Sequence, residues 1–305
     1  MFDVIVVGGG PAGITAALYA VRSGKSVLIL EANAFGGQIA TAPKVENFPS
    51  VKQIAGAELS EKMFEQAVDH GVEFDMGTAT VQKAEKGFTV TTEYSTYECL
   101  SVVLATGVSH RKLDIPSEEQ FAGRGVCYCA VCDGAFYAGK DVCVVGDGNS
   151  AAQYSLYLAD LCKSVTLLTL TEKLFCDAEL SARILANDKI EWIKNVSVTE
   201  IVGDETVKGV AVKDVDGAIT YVDVDGVFVA IGQVPHNDAF ADLVKLDERG
   251  YIVASEDCQT TCDGLFAAGD CRTKRIRQCT TAVGDGAVAG FSAAMFADKV
   301  KSQNQ

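Results

Sequence analysis

The sequence is short of positive charge and of long apolar runs, and both shortages restrict the partners of the chain. Its 26 lysine and arginine residues stand against 41 aspartate and glutamate residues, so the formal net charge is −15 at pH 7. Because a polyanion is repelled by a surface of the same sign, nucleic acid and anionic membranes are excluded as partners. No apolar run approaches the roughly 20 residues that a bilayer-spanning helix needs, so no membrane association is expected.

We expect no export signal, and this bears on the 11 cysteines. Met1 leads directly into an apolar stretch, so no signal peptide is predicted. We therefore expect a cytoplasmic protein, in which most thiols stay reduced. A disulfide in such a chain is expected to take part in a reaction.

A pattern of strand, glycine turn and helix occurs twice with identical spacing. In each copy four apolar strand residues, 4–7 and 142–145, lead into G-x-G-x-x-G/A, and a second strand begins 19 residues after the first glycine. The turn positions are Gly8, Gly10 and Gly13 in the first copy and Gly146, Gly148 and Ala151 in the second. Such glycines allow a tight turn and let backbone N–H groups approach a pyrophosphate at the helix N-terminus.

The two copies differ where an acidic residue should bind the ribose hydroxyls of a nucleotide. In the first copy Glu31 stands 23 residues after Gly8, whereas the same count in the second copy leads to Thr169. Asp147 instead places a carboxylate inside the second turn, close to where pyrophosphate oxygens would lie. The first copy is therefore predicted to bind a nucleotide, and the second to keep the fold without this contact.

Strands alternate with helical stretches along the chain, which predicts the α/β class with parallel sheets. We expect two Rossmann-like, three-layer nucleotide-binding domains, with the second inserted in the first. The first is predicted to comprise residues 1–113, with a strand at 101–107, and residues 243–305. The second of these segments is assigned to it because its Gly/Ala-rich C-terminal helix cannot complete a domain alone. The second is predicted to span residues 114–242, and the two crossings between the domains could act as a hinge.

The segment GVCYCAVCDGAFY holds a C-x-x-C pair, Cys129 and Cys132, followed directly by Asp133. A zinc site would need a second ligand pair, but no histidine lies nearby, and Cys258 and Cys262 are poorly spaced partners. Packing cysteines without chemistry are another alternative, because free cysteine is often buried. We favour a redox dithiol without a metal, in which one sulfur attacks a partner disulfide and the other resolves the mixed disulfide.

Seven motifs spread over nearly the whole chain resemble those of the low-molecular-weight thioredoxin reductases. They are GGGPAG at 8–13, FGGQ at 35–38, VENFP at 45–49, ATG at 105–107, YCAVCDG at 128–134, GLFAAGD at 264–270 and RQCTTAVGDGA at 277–287. The resemblance implies FAD in the first domain and a disulfide reductase activity.

The resemblance also implies which residues hold the FAD. On its adenosine side it places Gly8, Gly10, Pro11, Ala12, Gly13 and Glu31. Nearer to the flavin it places Gly37, Gln38 and Asn47. The remaining positions are Ala105, Thr106 and Gly107 after the predicted strand, and Gly269, Asp270, Arg277, Gln278 and Cys279 in the return segment.

Within the dithiol, the resemblance implies that Cys132 faces the flavin, Cys129 exchanges with thioredoxin and Asp133 shuttles the proton. The sequence itself supports the last role, because none of the three histidines adjoins the cysteines. The His–Glu acid pair of larger disulfide reductases therefore has no candidate, and a carboxylic acid beside the dithiol remains. His110 and His236 fall in the two linkers and are interpreted as solvated loop residues.

The second domain departs from the family where the electron donor should bind. Ordinary thioredoxin reductases carry a His-Arg-Arg run and a further Arg for the 2′-phosphate of NADPH. The corresponding positions here are Thr169, Leu170, Thr171 and Phe175. An NADH site should instead show an acidic residue at the end of the strand, where Thr169 stands. The second domain therefore lacks the usual binding residues for both NADPH and NADH. In this respect the chain is similar to the ferredoxin-dependent flavin thioredoxin reductases.

The predicted function is therefore a flavoprotein disulfide reductase that receives electrons from reduced ferredoxin. FAD would reduce the Cys129–Cys132 disulfide, and the dithiol would reduce thioredoxin. An NAD(P)H-dependent reductase with atypical nucleotide contacts, an oxygen-using dithiol oxidase and a flavin redox sensor without turnover remain as alternatives. The other cysteines, Cys127 among them, are interpreted as packing residues, and a homodimer is implied by the resemblance alone.

An acidic enzyme needs a local basic patch to receive an acidic carrier such as ferredoxin. The sequence offers one dense basic cluster, formed by Arg272, Lys274, Arg275 and Arg277. Because the resemblance assigns Arg277 to FAD, the other three side chains are free to face the partner, and ordinary solvated loop charges remain the alternative interpretation.

Overall fold

The computed structural model describes residues 1–42 and 44–303 and divides into two compact units. Unit 1 consists of Met1–Ser109 and the return segment from Val234 onward, and unit 2 consists of His110–Gln233. The chain thus leaves unit 1, forms unit 2 and returns. The division falls four residues before the predicted boundary 113/114 and nine residues before the predicted boundary 242/243.

The first part of unit 1 forms strands and two helices. In chain order these are β1 (Phe2–Val7), α1 (Pro11–Arg22), β2 (Val27–Glu31), α2 (Gly56–Asp69), β3 (Glu73–Met76), β4 (Thr80–Lys83), β5 (Phe88–Thr91), β6 (Thr96–Leu104) and β7 (Val108–His110). The strand predicted at 101–107 is the second half of β6. The strand ends at Leu104, three residues earlier than predicted, and residues 105–107 lie outside the sheet.

Unit 2 and the return segment supply the remaining elements. Those up to the second crossing are α3 (Pro116–Gln120), β8 (Val126–Cys127), α4 (Ala130–Asp133), β9 (Asp141–Val145), α5 (Asn149–Leu161), β10 (Ser164–Leu168), α6 (Ala178–Leu185), β11 (Ile190–Ile193), β12 (Val196–Gly203), β13 (Val207–Asp214), β14 (Ile219–Asp223), β15 (Gly226–Val229) and β16 (Gln233–Pro235). The return segment adds β17 (Leu265–Ala267) and α7 (Cys279–Gln303). The crossing strands β7 and β16 pair with each other.

Each unit is built on a sheet with a parallel centre. In unit 1 the strand order is β3-β2-β1-β6-β5-β4, with β17 as a seventh strand beside β6. Strands β1, β2, β3, β6 and β17 run parallel, and β4 and β5 are antiparallel additions. Unit 2 has a five-stranded parallel sheet, β11-β10-β9-β15-β8, and a three-stranded antiparallel sheet, β12-β13-β14. The predicted α/β class is confirmed.

The apolar strand that opens each copy is buried on both faces. Val4 and Val6 belong to the core that packs against α1 and α7, while Ile5 and Val7 belong to the core on the opposite face. Successive side chains of a strand point to opposite faces, so a continuous apolar run is what a doubly covered parallel strand requires. Strand β9 divides its side chains between two cores in the same way.

The last helix of unit 1 packs against the first through glycines. A Cβ atom at Gly286 would lie 2.3 Å from the carbonyl oxygen of Ala12, and one at Gly290 would lie 2.1 Å from that of Ala16. Any side chain at these two positions would separate the helices. The absence of a Cβ therefore allows α7 to reach the backbone of α1, and the return segment becomes part of the unit 1 core.

Candidate functional site

The residues predicted to bind FAD lie at one edge of the unit 1 sheet. The first glycine turn follows β1, Glu31 ends β2, residues Ala105 to Gly107 follow β6, and Gly269 and Asp270 follow β17. These four strands are parallel, so their carboxyl ends meet at the edge where open α/β sheets bind ligands. The sheet thus assembles a site from segments that are distant in sequence.

Two positions of the first glycine turn, Gly8 and Gly13, have room for nothing larger than glycine. Gly8 has φ +110°, and a Cβ there would lie 2.3 Å from the carbonyl oxygen of Ala105. A Cβ at Gly13 would lie 1.8 Å from the carbonyl oxygen of Gly8. Gly10 precedes α1 without a side-chain cap, and Pro11 is its first residue. The N-terminal N–H groups of α1 are thus available to a pyrophosphate.

Glu31 is held beside this turn by backbone donors. Its Oε2 accepts a hydrogen bond of 2.7 Å from the N–H of Gly9, and its Oε1 accepts one of 2.9 Å from the N–H of Asn33. On the other side of the turn, a Cβ at Gly37 would lie 3.2 Å from the Cα of Gly10. The carboxylate and the bare backbone of the turn therefore lie together at the end of β2.

Side chains predicted to stand near the flavin come together from distant parts of unit 1. The Nδ2 of Asn47 donates a hydrogen bond of 3.2 Å to the Oε1 of Gln278. Gln38 donates from its amide nitrogen to the carbonyl oxygen of Val108. The VENFP motif and the return segment therefore meet, as a shared site requires.

Asp270 provides the test of whether these residues fit a hydroxyl-bearing cofactor. Its Oδ1 is buried without a hydrogen-bond partner, and burial raises the pKa of the carboxyl although Lys274 and Arg277 oppose the shift. A buried carboxylate oxygen without a donor is costly, and a cofactor hydroxyl would supply one. The residues fit FAD in this respect. Arg277 contacts the loop that carries Asp270, because its Nε donates a 3.2 Å hydrogen bond to the Asp270 carbonyl oxygen. Its guanidinium carbon also lies 4.1 Å from the ring centroid of Tyr251.

Two residues of the predicted docking cluster are buried in an ion-pair network. Arg272 and Lys274 each place a nitrogen 2.9 Å from Oδ2 of Asp285, and their side chains are only 12% and 9% exposed. The prediction that they face a partner is wrong, because both are bound to a carboxylate inside unit 1. Arg275 alone of the expected three is exposed.

Asp285 was not recognised from the sequence, where it stands among glycines and alanines. Its Oδ2 also accepts a 3.0 Å hydrogen bond from the N–H of Gly269. Burial raises the pKa of Asp285, but hydrogen bonds and charge from Arg272 and Lys274 outweigh burial and leave the pKa below its usual value. The network therefore fixes the loop that carries Asp270.

Asn237 was also missed, since no local pattern marks it. It is fully buried, its Oδ1 accepts from Thr106 Oγ1 at 3.0 Å, and its Nδ2 donates to the carbonyl oxygens of Gly250 and Cys271 at 2.9 and 2.8 Å. It joins the ATG segment to the return loop. Cys279, the first residue of α7, has a thiol whose pKa is raised by burial to about 11.

The C-x-x-C pair of unit 2 is joined as a disulfide. Cys129 and Cys132 lie at the carboxyl end of β8, with their Cα atoms 5.3 Å apart, and Cys129 caps the short helix α4. The N–H of Cys132 lies 3.2 Å from the Sγ of Cys129, toward which it donates. Among residues 1–42 and 44–303 no group of three or more metal-type ligands occurs. Cys129 is half-buried and Cys132 is exposed.

Asp133 lies in a buried polar cluster beside the disulfide. Burial raises the pKa of its carboxyl to about 6, against a hydrogen bond from Cys127 that lowers it. Cys127 in turn contacts Tyr137, with Sγ 3.5 Å from Oη. The Cys127 side chain is thus a member of a core cluster of unit 2 and a neighbour of the Tyr137 hydroxyl.

The second glycine turn is contacted by the loop that follows β10. Thr169 is 1% exposed, and its Oγ1 accepts from Trp192 Nε1 at 3.0 Å and donates to the Thr171 carbonyl at 2.7 Å. The N–H of Phe175 donates to the carbonyl oxygen of Asp147 at 2.7 Å. Position 169 is thus occupied by internal hydrogen bonds, and it offers a nucleotide neither charge nor a free hydroxyl.

The linker histidines differ from each other. His236 Nε2 lies 2.9 Å from Ser109 Oγ at the surface. His110, in contrast, stacks on Tyr128 with ring centroids 5.1 Å apart, and burial lowers its pKa. The interpretation of His110 as a solvated loop residue is wrong, because Tyr128 covers one face of its ring.

Comparisons with known proteins extend over nearly the whole chain. The family model of the pyridine nucleotide-disulphide oxidoreductases matches residues 2–286. The thioredoxin reductase of Listeria monocytogenes serovar 1/2a is 42% identical over 304 residues, covering 99% of this chain and 95% of that protein. The thioredoxin reductase of Bacillus subtilis strain 168 is 39% identical over 308 residues, covering 99% and 96%. The crystal structure of thioredoxin reductase from Streptococcus pyogenes MGAS5005 superposes with a TM-score of 0.94 at 40% identity, covering 98% of this chain and 99% of that one.

The chain therefore belongs to the pyridine nucleotide-disulphide oxidoreductase family. Within it, the chain is a flavoprotein disulfide reductase of the thioredoxin reductase type, with FAD as its cofactor. The low-molecular-weight resemblance and the FAD prediction are confirmed. In the part of the chain that the structure describes, every helix is too short or too polar to cross a bilayer.

Proposed function

We propose that the protein transfers electrons from a nicotinamide nucleotide, through FAD and the Cys129–Cys132 disulfide, to thioredoxin. The observation that carries the proposal is the family match, which covers both glycine turns and the disulfide between them. The thioredoxin reductase relatives favour this alternative over ferredoxin as donor.

FAD, when bound, supplies the two-electron chemistry that connects the donor to the disulfide. In unit 1, Glu31 and Asp270 would accept hydrogen bonds from cofactor hydroxyls, and the N-terminus of α1 would bind the pyrophosphate. Asn47 and Gln278, which are already hydrogen-bonded to each other, would position the flavin end. These assignments rest on the family resemblance and on the way the sheet edge assembles the residues.

The dithiol would pass the electrons on by thiol–disulfide exchange. Two electrons and two protons convert the Cys129–Cys132 disulfide into two thiols. Cys129 then attacks a thioredoxin sulfur, the thioredoxin disulfide opens, and Cys132 displaces reduced thioredoxin as its own disulfide re-forms. The N–H of Cys132 donates toward the Cys129 sulfur, so it would stabilise a thiolate there and supports Cys129 as the exchanging residue.

Asp133 would supply and recover the proton that this cycle needs at the dithiol. With a pKa raised by burial to about 6, its carboxyl lies near the range in which an acid can both release and accept a proton at neutral pH. It directly follows Cys132 in α4, the short helix that Cys129 caps.

The nucleotide contacts in unit 2 would be atypical. Lys173 is the basic residue of the 169–177 loop, and its side chain is exposed. Asp147 points its carboxylate toward the same loop, with Oδ2 3.3 Å from Thr171 Oγ1. We infer that Lys173 forms an ionic contact with the 2′-phosphate of NADPH in place of the missing arginines. We also infer that Asp147 weakens the binding of this phosphate through like-charge repulsion.

Ferredoxin remains the second candidate because of one observation. The side chain of Thr169, where the family places its first 2′-phosphate contact, is bound internally and uncharged. If this loss abolishes nucleotide binding, the electrons must reach FAD from a one-electron carrier. The homodimer and the cytoplasmic location remain predictions from resemblance and composition.

Anaerobic rapid mixing of the oxidised, FAD-loaded enzyme with each donor tests the proposal. Flavin bleaching by NADPH or NADH, followed by reduction of thioredoxin under turnover, is the expected result. Bleaching by reduced ferredoxin with both nucleotides inactive would replace the first candidate with the second. Bleaching by dithionite alone would exclude both donors.

A further inference from the structure

The two glycine turns have the same backbone, so each position in one turn can be compared with its counterpart in the other. The N–H of Gly8 donates at 2.8 Å to a carbonyl oxygen of β2, and the N–H of Gly146 donates at 3.0 Å to one of β10. Gly10, which precedes α1, has φ −82° and ψ −177°, and Gly148, which precedes α5, has φ −93° and ψ −176°. The second turn therefore preserves the geometry of the first.

In the first turn, the middle residue points toward the acid at the end of β2. The N–H of Gly9 donates to Glu31 Oε2 at 2.7 Å, and a Cβ atom at Gly9 would lie only 3.2 Å from the same oxygen. That Cβ would also lie 2.5 Å from Cδ1 of Phe35, whose ring takes up the remaining space. A side chain on the middle residue of such a turn is therefore directed to the place of the ribose-binding carboxylate.

The second turn carries a carboxylate at this middle position. Asp147 stands between Gly146 and Gly148, where the first turn has Gly9, and it is half-buried. Thr169, which corresponds to Glu31, is uncharged and is bound internally. The acid that the strand lacks is thus present on the turn, and the geometry of the first turn directs it toward the ribose.

The Asp147 carboxylate is left open to a ligand. Its Oδ2 lies 3.3 Å from the Oγ1 of Thr171, but that hydroxyl makes its shorter hydrogen bond, of 2.7 Å, to the carbonyl oxygen of Lys173. A carboxylate has about four acceptor positions, and a hydroxyl has a single proton to donate. Asp147 therefore keeps most of its capacity to accept hydrogen bonds.

We propose that Asp147 is a specificity-determining residue, whose carboxylate accepts hydrogen bonds from the adenosine ribose of a nicotinamide nucleotide and selects NADH over NADPH. A free 2′-hydroxyl supplies a donor to the carboxylate, whereas a 2′-phosphate brings further negative charge to the same place. The proposal rests on the proposed function in one respect, which is that the second glycine turn binds a nicotinamide nucleotide.

The charges of the loop after β10 favour the same choice. Residues 169–177 include two acidic residues, Glu172 and Asp177, and one basic residue, Lys173, and all three are exposed. Together with Asp147, they give this part of unit 2 more negative than positive charge. Because solvent and salt screen an exposed lysine, Lys173 compensates little of the repulsion that a 2′-phosphate meets here.

Isothermal titration calorimetry of the oxidised, FAD-loaded enzyme with ADP-ribose and with 2′-phospho-ADP-ribose tests the inference. FAD occupies the first turn, so the titration reports on the second. The wild type is expected to bind ADP-ribose more tightly than the phosphorylated probe. Asp147→Asn keeps the size of the side chain and removes its charge. It should weaken ADP-ribose about tenfold, at the lower end for a hydrogen bond to a charged group, and should not weaken the phosphorylated probe.

The unequal response of the two probes separates specificity from a structural role, since a carboxylate that only held the loop would change both affinities together. Asp160→Asn is the matched control, because it removes the same charge from an exposed position near the other end of α5, and it should leave both affinities unchanged. If Asp147→Asn does not fold, Asp147→Gly restores the residue of the first turn and gives the same comparison. An unchanged preference in the variant, a wild type that prefers the phosphorylated probe, or no binding of either probe would overturn the inference.

The calorimetry involves no electron transfer, and so it separates the inference from the proposed function. An enzyme that binds ADP-ribose through Asp147, yet whose flavin is bleached by neither NADH nor NADPH, refutes the proposed donor and leaves the role of Asp147 standing. An enzyme that is reduced by NADPH and shows no Asp147 effect refutes the inference and supports the proposed donor.

Discussion

The two glycine turns share a backbone plan and differ in the side chains around it. In unit 1, Gly13 lies against the Gly8 carbonyl, and Glu31 accepts a hydrogen bond from the turn itself. In unit 2, Ala151 replaces the third glycine, and the turn carbonyl of Asp147 is bound by the following loop. The comparison teaches that buried apolar strands preserve the fold, while a few side chains at the sheet edge decide which ligand it binds.

An alanine at Gly13 is expected to have the largest effect on this comparison. Its Cβ would lie 1.8 Å from the Gly8 carbonyl oxygen and 3.2 Å from Val6, so the turn must deform. Overpacking of this kind costs about 1–3 kcal/mol or more. We expect the purified Gly13→Ala protein to lose most of its FAD and to melt at a lower temperature, as measured by the flavin-to-protein absorbance ratio and by thermal unfolding.

The reverse substitution in the second turn is the control for that experiment. Ala151→Gly should keep its full FAD content and lose only about 1 kcal/mol, the ordinary cost of glycine in a helix. Equal effects of the two substitutions would mean that the turns are not specialised in the way their surroundings indicate.

Asp285→Asn is expected to destabilise unit 1 at least as strongly, although its effect on the glycine turns is smaller. It leaves Arg272 and Lys274 without their common carboxylate, and the removal of one partner from a buried ion pair costs about 3–5 kcal/mol. Urea unfolding measures the loss. Because the native pKa of Asp285 lies below its ordinary 3.8, this contribution is present above that pH and is lost as the pH falls through the lowered value.

A surface ion pair of the same unit provides the matched control. Glu58→Gln removes the exposed i,i+4 partner of Lys62, which should change the stability very little. A similarly small loss in Asp285→Asn would contradict a structural role for the buried network.

Glu31→Gln should weaken FAD binding without unfolding the protein. Hydrogen bonds to a charged group contribute about 1.5–3 kcal/mol, so the Kd for FAD is expected to rise about 10- to 100-fold. Reconstitution of the apoprotein, followed by flavin fluorescence, gives the value. Asp147→Asn changes the carboxylate of the other turn and should leave FAD binding as it is, and a loss of FAD in that variant would show that the turns do not act separately.

The smallest expected effect concerns Lys173. If it contacts a 2′-phosphate, Lys173→Ala should raise the NADPH concentration needed for half-maximal flavin reduction by up to about fivefold, since exposed ion pairs contribute at most about 1 kcal/mol. Reduction by NADH, which lacks that phosphate, should not change and is the internal control. An equal effect on both nucleotides would place Lys173 elsewhere on the bound donor.

Sequence patterns predicted the fold better than the contacts within the site. The apolar run 4–7, the glycine spacing and the acid at Glu31 are local signals, and each lies where it was expected. The burial of Arg272 and Lys274 depends on Asp285, which reaches them only after α7 has packed, so their charges were mistaken for a docking surface. Tertiary contacts of this kind leave no periodic trace in the sequence.

The close contact between α1 and α7 has a consequence for synthesis on the ribosome. The face of α1 that carries Ala12 and Ala16 has no partner until Gly286 and Gly290 have been made. At ordinary translation rates this interval is on the order of tens of seconds. All of unit 2 emerges during that time and can fold first. Unit 1, although its synthesis starts earlier, is therefore completed last. FAD can bind to a complete site only after α7 has left the exit tunnel.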